Sequence, residues 1–415
     1  MPVDHTEEQA TTERTTTEGT TTERSRWSDS GGQDRRGLVR TLLGGTAALA
    51  GAAALSTPAA ALPTPPAGWP LGGPTDDPFE VDAFQSNGRV REYWIQADSF
   101  EHNAVASGHD PMSGKRFTPA QTTFWAIGFR AYTPGWGQPL DADLGPSGIG
   151  ANSGIPGPVL RAEVGDELRV HFRNNDEHYK WPHSMHPHGV RYSPEHDGGW
   201  LAEDPQAPGT AVPYGADYTY SWFCTPGSVG TWPYHDHSMP QTVPAPKGAT
   251  PQSADPHASA TDGPAAAAEP VMEIGAELGL LGVLAITDQR TAPVDRECVV
   301  VLHDVYRTDI PSMAMSLNLL NGGAYLDNTP TFTAKVGDRV RWRVVSLGNE
   351  LHVFHLHGHR WRSRLAHGAV DSELIGPATT LTIEYTEDNP GDWIYHCHAT
   401  HHLMGGMAGR YRVSP

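Results

Sequence analysis

Part of this sequence occurs twice. The string A-E-V-G-D-E-L-R-V at 162–170 returns as A-K-V-G-D-R-V-R-W at 334–342, and G-T-W-P-Y-H-D-H at 230–237 returns as G-D-W-I-Y-H-C-H at 391–398. Between the two members of each copy stands a further H-x-H pair, His186/His188 in the first and His355/His357 in the second. Motifs repeated in the same order mean one domain duplicated, at roughly 120–200 residues per copy, within the usual domain range. Within the strings, apolar and polar residues alternate after a Val-Gly-Asp turn, which is the period of a half-buried strand. Gly (45) and Pro (36) are plentiful and charged residues make up 19%. The expected class is therefore all-β: two sandwich or barrel domains in tandem with many turns.

The repeat does not fill the chain. Residues 1–34 are rich in Thr, Glu and Ser with almost nothing apolar, so they are expected to be disordered. Arg35-Arg36, the Ala/Gly/Leu run Gly37–Leu55 broken only by Arg40, and Ala59-Ala60-Ala61 read as a twin-arginine export signal over 35–61. The run is too short and too rich in small residues to span a bilayer comfortably, which predicts an exported protein, extracellular or in the cell envelope. A Pro/Gly linker follows over 62–84, then a first domain over 85–290 and a second over 291–415. Strands are expected at Val90–Gln96, at Thr123–Tyr132 and, closing the first domain, at Gly279–Thr287. A Pro/Ala/Ser-rich insertion, about 240–270, interrupts the first domain after His237 and reads as a surface loop with His257 solvated. In the second copy that gap is a short loop from Ala399 to Gly406.

With 48 acidic against 29 basic residues the formal charge is −19. That argues against nucleic acid as a partner and against anionic membranes once the signal is removed. Three cysteines do not make a disulfide framework. If Cys397 is a metal ligand, Cys224 and Cys298 either pair after export or stay as small buried apolar residues, the second being preferred.

The stretch Trp393–Met407, W-I-Y-H-C-H-A-T-H-H-L-M-G-G-M, carries the chemistry. A copper that only passes electrons needs a soft thiolate, two imidazoles and a weak axial thioether; Cys397, His402 and Met407 supply three of these, and His352, three residues before His355, is the candidate for the fourth. Side chains alternate faces along a strand, so His396 and His398 point away from Cys397 toward a second centre. Four H-x-H pairs give eight imidazoles: His186, His188, His235, His237, His355, His357, His396 and His398. Imidazole alone does not choose among copper, zinc, iron and nickel, and a lone H-x-H is as often a pair of surface or core histidines. Four pairs at matching places, one flanking a cysteine, make that bland reading improbable. The first copy has Asp236 where the second has Cys397, so it cannot build the same thiolate copper.

H-P-H-G, Y-H-D-H, H-V-F-H-L-H-G-H and H-C-H-x3-H-x4-M, with P-G-P-V-L-R-A-E-V-G-D at 156–166, resemble the four copper motifs of multicopper oxidases. The resemblance covers roughly residues 85–415 and is strongest to the two-domain, laccase-like group. It implies two cupredoxin-like Greek-key domains and four coppers per chain. A type 1 copper would be held by His352, Cys397 and His402 with Met407 axial, passing over the neighbours His401 and Met404. A type 2 copper would take His186 and His355, and a type 3 pair His188, His235, His237, His357, His396 and His398. Tyr192, Asp197 and Asp371 match a tyrosine and carboxylates that stand near the cluster in such enzymes. The implied activity is oxidation of phenols or aromatic amines at the type 1 copper, with the electrons passing through Cys397, His396 and His398 to reduce O2 to water.

The cluster ligands divide four and four between the domains, so the cluster lies at a domain–domain contact. In the two-domain group the precedent is a head-to-tail ring, and a homotrimer is the expected closure. Two rival functions follow from the residues. A metal oxidase acting on Fe(II) or Cu(I) would use carboxylates near the type 1 histidine, with Glu350, Asp371 and Glu373 as candidates. The stretch Met313–Asn318 offers neither carboxylate nor histidine, and the nine methionines form no Met-rich tract. A secreted copper-binding or electron-carrier protein without oxidase activity would not need all four motifs.

Overall fold

The computed structural model of the protein describes residues 81–415 apart from 142–144, 146, 246–269 and 364–365. The expectations for 1–34, for 35–61, for most of the linker and insertion and for His257 lie outside the described residues. All the described residues belong to one compact unit.

The architecture is β throughout and repeats itself. In the first half, β1 (Val90–Asn103), β2 (Thr123–Tyr132), β4 (Glu167–Asn175) and β6 (Asp217–Phe223) form one sheet in the order β2-β1-β4-β6. A second sheet has the order β3-β8-β7-β5, from Val159–Glu163, Leu281–Thr287, Gly230–His235 and His186–Pro187. In the second half, β9 (Arg296–Val305), β10 (Leu317–Leu320), β12 (Arg339–Ser346) and β17 (Thr380–Thr386) give the sheet β10-β9-β12-β17. Facing it is β11-β19-β18-β13-β16, from Thr331–Lys335, Ala408–Ser414, Gly391–Cys397, His352–Leu356 and Ser372–Ile375. A two-stranded ribbon of Trp361–Arg362 and Ala369–Val370 (β14 and β15) completes the strands.

The pairing is duplicated too. The first strand of each half runs parallel to the strand of the Val-Gly-Asp motif, β1 with β4 and β9 with β12. The preceding strand of the motif runs parallel to the closing strand, β3 with β8 and β11 with β19. The expected Val90–Gln96 strand extends to Asn103, and the closing strand starts at Leu281 rather than Gly279. The gap after Cys397 is not a plain loop, because Thr400–Met404 winds into a short helix. That turn brings His402 back toward Cys397 while keeping it 1% exposed.

Alternation fills each sandwich with apolar side chains, among them Ile95, Phe129, Phe172 and Trp222 in the first and Val300, Trp342, Phe354 and Tyr411 in the second. Burial of side chains this large is worth on the order of 1.5–3 kcal/mol each and dominates the stability. Each core is pinned by a tyrosine of the repeated W-x-Y-H string: the Tyr234 hydroxyl donates to the Pro158 carbonyl (2.7 Å) and that of Tyr395 to Pro330 (2.8 Å). Opposite stand Gly282 and Gly409, where a Cβ would come within 2.2 and 2.3 Å of these rings, so glycine is required by close approach. Cys224 and Cys298 are unpaired and buried, one in each core.

The two halves share a seam. Ile149, Leu281 and Val283 pack with Val299, Val301, Val345 and Leu347. Beside them Arg343, 2% exposed, pairs with Glu297 (2.7 Å) and donates to Thr231 Oγ1 (2.9 Å) and the Gly230 carbonyl (3.2 Å) of β7.

Candidate metal centre

Strand β13 ends on the histidines of H-V-F-H-L-H and β18 ends on His396-Cys397; the two run antiparallel with Phe354 opposite Cys397 and His355 opposite His396. Alternation therefore sends His352 and Cys397 to one side and His355, His357 and His396 to the other. On the first side, His352, Cys397 and His402 offer ligand atoms all within 4.8 Å of one another, and all three are buried. Cys397 Sγ lies 3.4 Å from His402 Nδ1 and accepts from the Val353 N–H at 3.4 Å. Met407, fully buried in the same apolar cluster, is tied back by Cys397 N–H to its carbonyl at 3.1 Å.

Burial opposes ionisation of the Cys397 thiol, but the imidazoles of His352 and His402 and the backbone N–H groups of Val353 and Ala399 outweigh it and bring it down to about 6. Burial likewise opposes charge on His352, yet Asp304 and Cys397 raise it to about 9. Both ring nitrogens of His352 and Nε2 of His402 are buried without a hydrogen-bond partner. Asp304 Oδ2 stands 3.1 Å from His352 Nε2, out of hydrogen-bond alignment. A soft anion and two imidazoles with unused nitrogens around one point form a donor set that a copper ion fits.

The other eight imidazoles form two copies of one constellation. His188 and His235 approach through their Nε2 atoms at 3.1 Å, as do His357 and His396 at 3.1 Å. His186 Nδ1 donates to the Asp197 carbonyl at 2.7 Å, and His355 Nδ1 to the Asp371 carbonyl at 2.7 Å. His235 Nδ1 donates to the Asp236 carbonyl (3.0 Å) and His396 Nδ1 to that of Cys397 (2.9 Å). His237 and His398 close the sets, their ring centroids 5.3 Å from His186 and His355 respectively. These backbone acceptors fix tautomers and leave Nε2 of His186, His235, His355 and His396 free for metal.

Desolvation lowers His188 to about 4, with His186 and His237 adding to it, and lowers His235 to about 3 and His396 to about 4. Neutral imidazole is the ligand form. No ring of the first set touches a ring of the second among the described residues.

Asp197 and Asp371 thus meet the histidines chiefly through their carbonyls; their carboxylates lie 3.4 Å from His186 Nδ1 and 4.0 Å from His355 Nδ1. Tyr192 sits 6.1 Å, ring to ring, from His186, and burial followed by Asp197 pushes its hydroxyl up to about 12. Glu373 is buried and its carboxylate is taken up by Trp361 and Ser363 (2.8 Å each).

Three residues at these sites are given no role by the sequence reading: His183, Glu273 and His401. His183 and Asp236 occupy in the first half the places of His352 and Cys397. Asp236, 1% exposed, accepts from the Ser184 N–H (2.7 Å) and pairs with His183 Nδ1 (3.2 Å), whose Nε2 meets Asp176 (3.2 Å). Burial opposes charge on His183, but the two carboxylates raise it to about 9. The signal was legible, since His183 precedes His186 by three residues as His352 precedes His355. Glu273, 3.2 Å from His237 Nε2, follows the insertion and has no counterpart in the second copy. His401, passed over in favour of His402, lies with it against Glu350, at 3.5 and 3.4 Å.

A cysteine with two imidazoles on one strand face and a set of histidines on the other is a donor set that suits copper. Residues 139–250 and 293–415, together more than half of the chain, each match the family described as multicopper oxidase. The chain belongs to the multicopper oxidase family, and its two cupredoxin-like halves fit the small, two-domain laccase-like group.

It is 27% identical over 269 residues to a probable nitrite reductase-hydroxylamine oxidoreductase fusion protein of Kuenenia stuttgartiensis, covering 62% of this chain and 27% of that one. It is 28% identical over 376 residues to the ferroxidase HEPHL1 of Homo sapiens, covering 79% and 29%. The chain thus spans under a third of the length of these relatives. A crystal structure of a multicopper oxidase matches with TM-score 0.53 at 21% identity, covering 80% of this chain and 92% of the other. The blue copper oxidase from Nitrosomonas europaea matches at 0.52 and 20%, covering 78% and 86%. At such identity these two speak for the fold alone.

Proposed function

We propose that this chain is a laccase-like oxidase that couples one-electron oxidation of phenols or aromatic amines to four-electron reduction of O2 to water. The observation that carries the reading is Cys397: its sulfur sits among His352 and His402, while its strand neighbour His396 belongs to the histidine set on the opposite face. His352, Cys397 and His402 with Met407 would hold a type 1 copper. His186 and His355 would hold a type 2 copper, and His188, His235, His237, His357, His396 and His398 a type 3 pair, four coppers per chain in all. Copper bound there supplies one-electron acceptance from the reductant and O2 reduction.

The protein's part is positional. The peptide from Cys397 to His396 and His398 is an unbroken covalent link between the two faces, and the Asp197 and Asp371 carbonyls hold the type 2 imidazoles in one tautomer. The apolar shell of Phe354, Tyr395 and Met407 keeps water from the thiolate. Since four histidines lie on each half and the two sets do not touch within the chain, the complete cluster is assigned to a head-to-tail contact between chains, closed as a homotrimer. Export through the twin-arginine route belongs to the same reading.

A second reading, a metal oxidase acting on Fe(II) or Cu(I), is favoured by one feature: Glu350, half-exposed, reaches His402 Nε2 and the exposed His401 together. A carboxylate and an imidazole at the edge of a type 1 ligand suit a cationic reductant, and one relative bears the name ferroxidase. Oxygen uptake with a phenol, an aromatic amine, Fe(II) and Cu(I), ranked by kcat/KM, separates the two. Cys397→Ser should abolish the blue absorption and turnover while cluster copper stays bound; retained oxidase activity would overturn the assignment.

A further inference from the structure

The two half-sites agree pair by pair except at one point. His237 Nε2 faces Glu273 Oε1 at 3.2 Å, and Glu273 Oε2 stands 3.7 Å from His235 Nδ1. Its counterpart His398 has no carboxylate within 4.0 Å among the described residues. Glu273 is not there by the accident of a floppy tail. It takes the left-handed conformation, φ +62°, which a residue with a Cβ keeps only where its surroundings impose it. Those surroundings are a bridge and a turn. Gln241 and Val271 exchange both backbone hydrogen bonds (3.2 and 2.8 Å), and the Glu273 carbonyl accepts from Ala276 (2.8 Å) and Glu277 (3.3 Å). The strap 271–277 is thereby clamped beside the histidines, and the four first-half imidazoles share a cavity of about 250 Å³ with Glu273.

The electrostatic consequence differs for the two halves. Ligand atoms of His186, His188 and His235 all lie within 4.8 Å of one another, and so do those of His355, His357 and His396. Three neutral imidazoles do not offset a doubly charged ion in a partly desolvated pocket, and the Asp197 and Asp371 carboxylates stand behind one ring in each half alike. One carboxylate beside the fourth histidine halves that charge and adds an oxygen donor that Cu(II) accepts. The first half has this group and the second does not.

We infer that Glu273 is a carboxylate donor of the first-half site, so that this half takes up a copper ion within a single chain before the second half of a neighbour closes over it. The inference rests on the copper assignment proposed above and adds an order to it. Loading begins at His186, His188, His235 and His237, and the second-half histidines meet a metal that is already bound. The strap thus acts on assembly rather than on the reductant.

The test uses the full-length chain, stripped of metal and carrying Cys397→Ser so that the thiolate does not capture the first equivalent. Cu(II) is titrated in competition with a chromophoric chelator, alone and with Glu273→Gln, Glu273→Asp or His398→Ala added, with melting curves to show that each chain is folded. Glu273→Gln should weaken the tightest site by roughly ten- to a hundredfold and change the electron paramagnetic resonance of the first bound Cu(II). Glu273→Asp should recover part of that loss, and His398→Ala should leave the tightest site within about twofold. Unchanged affinity in Glu273→Gln, or an equal loss in His398→Ala, overturns the inference while the cluster assignment stands. A Cys397→Ser chain that binds no copper at all overturns the assignment itself and the inference with it.

Discussion

Replacing Asp236 by alanine tests whether the first half keeps its type 1 position filled with a charge pair. Asp236 is 1% exposed and accepts from Ser184 N–H, Ser238 N–H and Ser238 Oγ as well as pairing with His183. His183, 1% exposed, is held charged up to about 9 against an ordinary 6.5. That displacement corresponds to about 3 kcal/mol at 1.36 kcal/mol per pH unit. Removing one member of a buried pair costs roughly 3–5 kcal/mol, because the other is left charged and unpaired.

For a domain of this size each kcal/mol is roughly 2–4 °C, so Asp236→Ala should lower the Tm by on the order of 10 °C. The pH dependence carries a sign. A histidine whose folded value is raised contributes its full stabilisation below pH 6.5 and loses it as pH climbs through about 9. The Tm of the parent should therefore carry a downward contribution over that interval, and Asp236→Ala should flatten it. Calorimetry on the copper-free protein is the assay, since bound metal would add its own linkage. Asp236→Asn, which can still accept from Ser184, separates the charge from the hydrogen bonds. A Tm within about 2 °C of the parent, or an unchanged profile between pH 6.5 and 9, would refute the reasoning.

Three further outcomes are expected. Arg343→Ala leaves Glu297 with Arg161 as its remaining cation and removes the donor to Thr231 Oγ1 and the Gly230 carbonyl at the seam; it should cost roughly 1–3 kcal/mol, read as a fall in Tm with no loss of the blue band. Removing copper with a chelator should convert the assembled protein to single chains in sedimentation, and a monomer with its full copper complement would sink the inter-chain cluster. Glu350→Gln and His401→Ala should raise KM for Fe(II) about tenfold more than KM for a phenol if a cation docks there; equal effects on both substrates would exclude that docking.

The duplication was fully visible in the sequence, because it is carried by turns and alternation that any β-domain must encode locally. Thr123–Tyr132 appears as a strand with the bounds expected of it. That the paired histidines would converge was equally legible, since i and i+2 share a strand face and the H-x-H pairs announce themselves. What stayed hidden depends on tertiary contact. Glu273 reaches His237 across the insertion, and nothing in its neighbours' spelling marks it. His401 stands beside a better-spaced histidine, and only the packing of Glu350 against both gives it a role. Asp197 and Asp371 were found by position, but the chain uses their carbonyls more closely than their carboxylates, a distinction no side-chain pattern encodes.

The divergence of the two halves follows from one shared device. In each, the N–H after a buried histidine donates to an anion on the neighbouring strand: Ser184 to Asp236 at 2.7 Å and Val353 to Cys397 at 3.4 Å. In each, that histidine is raised to about 9. The scaffold thus demands a negative group at this point, since an orphaned N–H and an unpaired imidazolium would both be buried without it. A carboxylate meets the demand with hard oxygen donors, and His183 keeps its proton between Asp176 and Asp236. A thiolate meets it with a soft donor, and with His352 and His402 beside it a copper ion can take the place of the proton. The same fold holds a closed ion pair in one half and a donor set that suits a metal ion in the other, and the two part first at residues 236 and 397.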